Sequence, residues 1–449
     1  VKKKLTLREI FTIAFPIMLG NLSMSLAGMA DTIFMEKVGH VQMDAVGYCS
    51  LLLFIITILG WSTARGVQIL TAQFDGGKHY EKVGEIFDIT AITLSIVGVF
   101  CFIVFRFFAE PILSILLHNP EMLRYSVEFT EIRAWTFLFI NFTFVISAFY
   151  TGIGKTKILI LSVATTAILN IGLNYVFVFG KYGMPKMGVA GSALATNISD
   201  FLSMLIFVVS LFFNKQYLAK YKLLRFVNFS SVLMKEVLTI SAPLVLQHLF
   251  SLGAWVLFFT WIESIGTKEL AVSMIVKSIY MFLCIPGFSL STAVNTIVGN
   301  LVGKGDYDEI VPTIKKIMLV SVSIVMTYLL FSVVFIYEWI QFYTSDPQLI
   351  KMCLDPMLMA FAGILLFPFG NTTFQGVVSL GNTRKALYLE FLTILIYTTY
   401  MFLVIKVFRL NLTWAWSSEL FYWFILFLFS FFYFKFSDWK AKLKPISDL

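Results

Sequence analysis

The chain has 449 residues, of which 59% are hydrophobic, 17% aromatic and only 13% charged, with a net charge of +8. Its mean hydropathy is +0.85. Soluble domains carry about 25% charged residues, so these figures exclude an ordinary soluble domain and point to a polytopic membrane protein. Apolar runs of about 18 residues or more suit helices and not short barrel strands. The positive charge is spread over short loops and does not indicate nucleic acid. Cys49, Cys101, Cys284 and Cys353 sit in or beside apolar segments, without metal-ligand spacing.

Twelve spans are predicted, at about residues 10–35, 44–73, 86–108, 132–150, 158–180, 189–213, 237–261, 270–302, 314–338, 353–378, 386–408 and 414–436. The first follows a basic start, Lys2-Lys3-Lys4, and imitates a secretory leader. It is too long for a leader's apolar core and is expected to be retained. It carries Pro16 and, fifteen residues later, Asp31, an acid in an otherwise apolar run. A carboxylate within a bilayer span costs several kcal/mol and is normally kept for ion or substrate work. The bland alternative for Asp31 is a satisfied acid near the outer interface.

The fifth span carries Asn170 and Asn174, four apart and so on one helix face. The sixth carries Thr196 and, four residues on, Asp200. At a rise of about 1.5 Å per residue, Asp31 lies roughly 8 Å below the outer end of its helix. Asn174, Asn170 and Thr196 lie about 9, 15 and 12 Å below theirs. All fall in the outer half of one lobe. Asp200 is either a second acid in the same lobe or a neutral group hydrogen-bonded within the bundle.

The basic segment Asn214–Glu236 follows, best read as a topology signal. After it the first span recurs at an offset of 227 residues. Thr12, Pro16, Glu36 and Gly39 match Thr239, Pro243, Glu263 and Gly266, whereas Asp31 falls on Phe258. The offset persists at Gly76 and Gly303, Tyr80 and Tyr307, Gly154 and Gly381, and Thr156 and Thr383. Each copy holds an even number of spans, so the two share one orientation, a parallel repeat. The expected fold is an all-α polytopic membrane protein, with twelve transmembrane helices in two six-helix lobes. The expected domains are 1–213 for the first lobe, 214–236 for a cytoplasmic linker and 237–449 for the second lobe. About two-thirds of the Lys and Arg residues fall at the termini and even-numbered loops, which places both termini in the cytoplasm.

In the second half, Lys277, Glu390, Glu419 and His248 are polar candidates within spans. Lys277 and Glu390 could pair with each other or with Asp200; snorkelling or a structural ion pair is the simpler reading. His248 is more often a packing residue than a proton relay. Arg65 could reach Asp31 or Asp200. Phe149, Tyr150 and Met281 are cavity candidates by span position alone.

Several segments resemble the multidrug and toxic compound extrusion (MATE) transporters. They are Pro16 with Asp31, Gln73–Lys82 (QFDGGKHYEK), Gly152–Thr156 (GIGKT), and the block LNIGLNYVFVFGKYGMPKMGVAGSALAT, Leu169–Thr196. In the second half, Gly299–Glu309 (GNLVGKGDYDE) and Ser379–Ala386 (SLGNTRKA) match as well. The resemblance covers nearly the whole chain. It implies export of organic, often cationic, amphipathic drugs by antiport against H⁺ or Na⁺, with no other cofactor. It implies a cation pocket at Asp31, Asn170, Asn174 and Thr196, and bending of helix 1 at Pro16. Some relatives carry Asp where Asn174 stands, which puts a strong Na⁺ site in doubt. Another branch has acids where this chain has Ser251 and an apolar residue near Phe367, so coupling in that branch's manner is not expected.

A lipid-linked oligosaccharide flippase of the same superfamily is the nearest rival. Such a protein is expected to line a groove with several cations, and here the spans offer only Arg65 and Lys277. No HExxH, GxSxG or phosphate-binding loop marks a membrane enzyme. A channel is a third reading, disfavoured by the repeat and the single-sided acid. The expected setting is the bacterial inner membrane, with the protein monomeric.

Overall fold

The computed structural model describes residues 5–226 and 230–443. Lys2–Lys4 of the basic start and residues 227–229 of the linker lie outside the described residues. Every regular element among the described residues is helical. Twelve helices are long and apolar enough to cross a membrane. In chain order they are helix 1 (Leu7–Glu36), 2 (His40–Gly76), 3 (Tyr80–Phe107), 4 (Pro120–Gly152), 5 (Lys157–Phe179) and 6 (Gly188–Phe213). Helix 7 (Ser231–Glu263), 8 (Thr267–Lys304), 9 (Tyr307–Val334), 10 (Pro347–Ser379), 11 (Thr383–Val407) and 12 (Leu412–Phe436) follow.

The twelve expected spans are all present, most of them longer than hydropathy gives. Helix 4 differs most. It begins at Pro120, where the Asn119 side chain accepts hydrogen bonds from the N–H groups of Glu121 and Met122. Its first turns carry Glu121, Arg124, Glu128, Glu131 and Arg133, and these charges conceal a capped helix from a hydropathy reading. A short 3₁₀ turn, Ala134–Thr136, joins them to the apolar part. Helix 1 runs unbroken through Pro16, which supplies no N–H to the turn before it.

The chain forms two compact units. One is Leu19–Ser241. Its core packs Cys49 and Leu53 of helix 2 and Phe105 of helix 3 with Phe129 and Phe137 of helix 4, Val178 of helix 5 and Val189 of helix 6. The other combines the described residues up to Met18 with those from Ala242 onward. The packing thus divides within helices 1 and 7, whereas the loops suggest divisions at 213 and 237. The cause is local. Ile10 and Ala14 are buried with Leu290, Val294 and Val298 of helix 8 and Ile314 of helix 9. The first turns of helix 7 instead meet helices 2 and 3, where Ser241 donates to the Thr63 carbonyl at 3.3 Å.

The linker begins as a short helix, Lys215–Tyr221. Beyond it, Lys222, Leu224 and Phe226 take positive φ values of 53°, 58° and 51°. This alternation turns three successive N–H groups, of Leu224, Arg225 and Phe226, onto the buried Asp88 carboxylate of helix 3 at 2.8, 2.9 and 2.9 Å. All four cysteines are buried and free.

Candidate functional site

Helices 5 and 6 meet at Gly191. A Cβ there would lie 2.8 Å from the Phe177 carbonyl carbon, so only glycine lets the two backbones touch. That contact places Asn170 opposite Thr196 farther along the pair. Asn170 Nδ2 donates to Thr196 Oγ1 at 3.0 Å, and Thr196 Oγ1 donates to the Ser192 carbonyl at 3.0 Å. Asn174 Nδ2 donates to the Asp31 carboxylate at 2.8 Å and to the Asn170 carbonyl at 3.0 Å. Asp31, Asn170, Asn174 and Thr196 therefore form one chain of contacts within a single unit. The two asparagines are buried, while Asp31 and Thr196 are half-buried.

The direction of each bond follows from chemistry. An ionised carboxylate only accepts, so the nitrogen of Asn174 must face Asp31. Thr196 spends its proton on Ser192, so the nitrogen of Asn170 must face Thr196. Both amide oxygens are thereby turned away, and both are buried with no hydrogen-bond partner. An unsatisfied buried acceptor costs about 1–3 kcal/mol. The four side chains together offer a carboxylate, a hydroxyl and two amides, and a rotation of each amide would turn its oxygen toward Asp31 or Thr196. With both amides so turned, the set would suit a hard monovalent cation.

Asp200 lies in the same unit, near enough to Asp31 to act on it electrostatically. Its carboxylate is ion-paired to Arg133 Nη1 at 3.1 Å and accepts from Thr136 Oγ1 at 3.0 Å. Arg133 also donates to Asn197 Oδ1 at 2.8 Å. Neither sequence reading of Asp200 anticipated this partner. The signal was present, since Arg133 is a basic residue on the side that positive-inside counting leaves poor in cations. Arg65, the partner considered from sequence, lies over the Trp61 ring at 5.1 Å.

The second unit holds a different polar centre. Glu390 on helix 11 accepts from Gln247 Nε2 at 2.7 Å and Ser251 Oγ at 2.7 Å, both on helix 7, and from the Tyr422 hydroxyl at 2.8 Å. Glu419 on helix 12 accepts from the hydroxyls of Tyr280 at 2.8 Å and Tyr397 at 3.2 Å. Lys277 pairs with neither. Its ammonium lies over Phe259 at 4.9 Å and Trp255 at 5.7 Å, so cation–π contacts stand where the sequence allows a Lys277–Glu390 pair as one of the possibilities. His248 Nδ1 meets the Leu244 carbonyl at 2.7 Å. Phe149 and Tyr150, considered as cavity residues, are fully buried packing, with Tyr150 bonded to Ser210 at 2.8 Å. Met281 is 45% exposed.

A twelve-helix membrane protein made of two sequence-related halves, with a polar pocket inside one of them, has the architecture of a secondary transporter. The MatE family model matches residues 16–176 and again 243–403, two segments offset by the 227 residues of the internal repeat. The chain belongs to the MatE family. A "Probable multidrug resistance protein NorM" of Thermotoga maritima is 26% identical over 91% of this chain and 88% of its own length. The "Uncharacterized transporter YisQ" of Bacillus subtilis is 22% identical over 76% of this chain and 75% of its own. Among solved structures, an outward-facing "multidrug resistance MATE family transporter of the MOP superfamily" superposes with a TM-score of 0.88. It is 18% identical and covers 98% of this chain and 96% of that one, a likeness of fold.

Proposed function

We propose that the protein is a secondary active multidrug exporter, antiporting organic, often cationic, amphipathic compounds against H⁺ or Na⁺ by alternating access. The observation that carries this reading is the Asp31–Asn174–Asn170–Thr196 network with its two unpartnered amide oxygens. The names of the curated relatives support multidrug substrates.

Ion coupling needs a group whose charge changes with occupancy. Asp31, in a span, bonded to the neutral Asn174 amide and within electrostatic reach of Arg133 and Asp200, is such a group. A bound ion neutralises it and lowers the cost of keeping it out of water. A proton would neutralise Asp31 alone. A Na⁺ ion would be held by the Asp31 carboxylate, the Thr196 hydroxyl and the oxygens of Asn170 and Asn174 once both amides rotate to present them, which also satisfies both stranded oxygens. Ion occupancy would then bias helix 1, which lacks one backbone hydrogen bond at Pro16 and can bend there. Outward exposure of the pocket, cytoplasmic termini, a monomeric state and a bacterial inner-membrane setting complete the reading.

Dye efflux from proteoliposomes tests it, under an imposed pH gradient or an imposed Na⁺ gradient. Wild type is expected to expel dye with at least one gradient, and Asp31→Asn is expected to lose that coupling. Efflux unaffected by Asp31→Asn removes the coupling role. No gradient-driven efflux by wild type removes the exporter reading and makes a polyprenyl-linked sugar the next substrate to try.

A further inference from the structure

Glu390 and Glu419 are 5% and 3% exposed, and the proposed export cycle gives neither a role. A buried anion is tolerated when a cation pairs with it. Among the described residues no cation does so here. The groups that meet the two carboxylates come from four helices, and all are neutral donors. Gln247 and Ser251 come from helix 7, Tyr280 from helix 8, Tyr397 from helix 11 and Tyr422 from helix 12. Helix 10 approaches Glu419 through Gly363, which brings no side chain. The charged and titratable neighbours are few. Lys277 is engaged with aromatic rings, His248 with a backbone carbonyl, and Cys284 is a buried thiol.

The two acids belong to one network. The Tyr422 hydroxyl meets Glu390 and the Tyr397 hydroxyl meets Glu419, and the two rings contact each other edge-on at 5.6 Å. Trp423 Nε1 donates to the Tyr280 hydroxyl at 2.7 Å, which in turn donates to Glu419. Two uncompensated anions sharing such an enclosure would be costly, so one or both must carry a proton for much of the time.

A protonated carboxyl needs an acceptor, and the structure holds one. Gln247 is 6% exposed, its Nε2 is spent on Glu390, and its Oε1 is buried with no partner. Rotation of that amide exchanges a nitrogen for an oxygen in front of the same carboxyl oxygen. Gln247 can therefore serve both forms of Glu390, donating to the anion and accepting from the acid. The donors of this shell stabilise the anion whereas burial favours the acid, so the two forms are held in balance.

We propose that Glu390, Glu419 and Gln247 form a second, proton-binding site in the unit that lacks Asp31, with the Gln247 amide as its two-state reporter on helix 7. The proton moves between water and a carboxylate oxygen, and no other bond changes. Gln247 lies four residues beyond Pro243 on helix 7, where a backbone hydrogen bond is missing, so occupancy acts on a helix that can bend. The inference does not depend on what the protein exports.

Infrared difference spectra between acidic and alkaline buffer test it on the purified full-length protein in lipid nanodiscs, with no substrate present. The variants are Asp31→Asn alone and combined with Glu390→Gln or Glu419→Gln. Asp31→Asn is expected to keep a protonated-carboxyl C=O band that at least one of the double variants removes. A spectrum unchanged by both glutamine substitutions overturns the proposal. Tyr422→Phe guards against a variant that does not fold, because it keeps both carboxyls and deletes one donor. It is expected to shift the Glu390 band, and an unmoved band also overturns the proposal. Dye efflux plays no part in the readout, so failure here and failure of the export reading are separate results.

Discussion

Asn174 illustrates how one amide commits the pocket to a chemistry. Its nitrogen is claimed by Asp31 and the Asn170 carbonyl, which leaves its oxygen buried and unpartnered. Asn174→Asp replaces that amide with a second carboxylate and adds a charge to the same set of side chains. If Na⁺ is the coupling ion, the Na⁺ concentration giving half-maximal efflux is expected to fall about tenfold, roughly 1.4 kcal/mol. A rise or no change argues for a proton. Arg133 is the complementary case. Removing one partner of a largely buried ion pair strands the other at a cost of about 3 kcal/mol. Arg133→Ala is therefore expected to melt well below wild type, and Arg133→Ala with Asp200→Asn to recover most of the loss. A double variant as unstable as the single one would mean that Arg133 acts through Asn197 and not through Asp200.

At the scale of an element, the close approach of helices 5 and 6 sets the pocket. Gly191→Ala adds a methyl group against the Phe177 backbone, which cannot yield as a flexible side chain would. Overpacking of this kind costs about 1–3 kcal/mol. It is expected to reduce ion-coupled efflux more than it reduces expression, since Asn170 and Thr196 are moved apart. The linker is held by similar geometry. Asp88→Ala deletes three charge-assisted hydrogen bonds from Leu224, Arg225 and Phe226, the first and last of which have backbones in the left-handed region. Tryptic cleavage after Lys222 and Arg225 is expected to accelerate at least about tenfold, because each such bond contributes roughly 1.5–3 kcal/mol. Tyr221, in the short linker helix, donates to Asp75 at 2.7 Å. Burial, and then that bond, holds its phenol above the ordinary value of 10.0. A raised folded value means stabilisation that is complete below the unfolded pKa of about 10 and fades as pH rises beyond it. Circular-dichroism melts are expected to show an alkaline loss of stability in wild type that is smaller in Tyr221→Phe.

Across the whole molecule, two units share helices 1 and 7. The turn bearing Ile10 and Ala14 belongs to the core built by helices 8 and 9. Ile10→Ala is expected to cost about 2 kcal/mol of thermal stability. It is not expected to alter ion binding at Asp31, which lies in the other unit. Thermal shift with and without Na⁺ separates these two effects. The repeat also has a boundary that the offset hides. Helices 6 and 12 begin at Gly188 and Leu412, which are 224 residues apart and not 227, because the connection from helix 11 to helix 12 is shorter. Asn170 and Tyr397 are related by the full offset, and each donates to the following helix, Asn170 to Thr196 and Tyr397 to Glu419.

The sequence by itself determined the membrane class, the twelve helices and the duplication, because hydropathy and a fixed offset are properties of the chain and need no partner. Helix rise also put Asp31, Asn170, Asn174 and Thr196 at similar depth, and a four-residue spacing put the two asparagines on one face, while their grouping into one pocket came from the resemblance to the MATE transporters. What the sequence left open was decided by contacts between helices distant in sequence. Arg133 as the partner of Asp200, Lys277 lodged on aromatic rings instead of a carboxylate, and the phenols around Glu390 and Glu419 all depend on which face of one helix meets another. Spacing within a helix is periodic and can be read from the chain. The azimuth of one helix against its neighbour is set by side-chain packing over the whole unit, and only the tertiary structure records it.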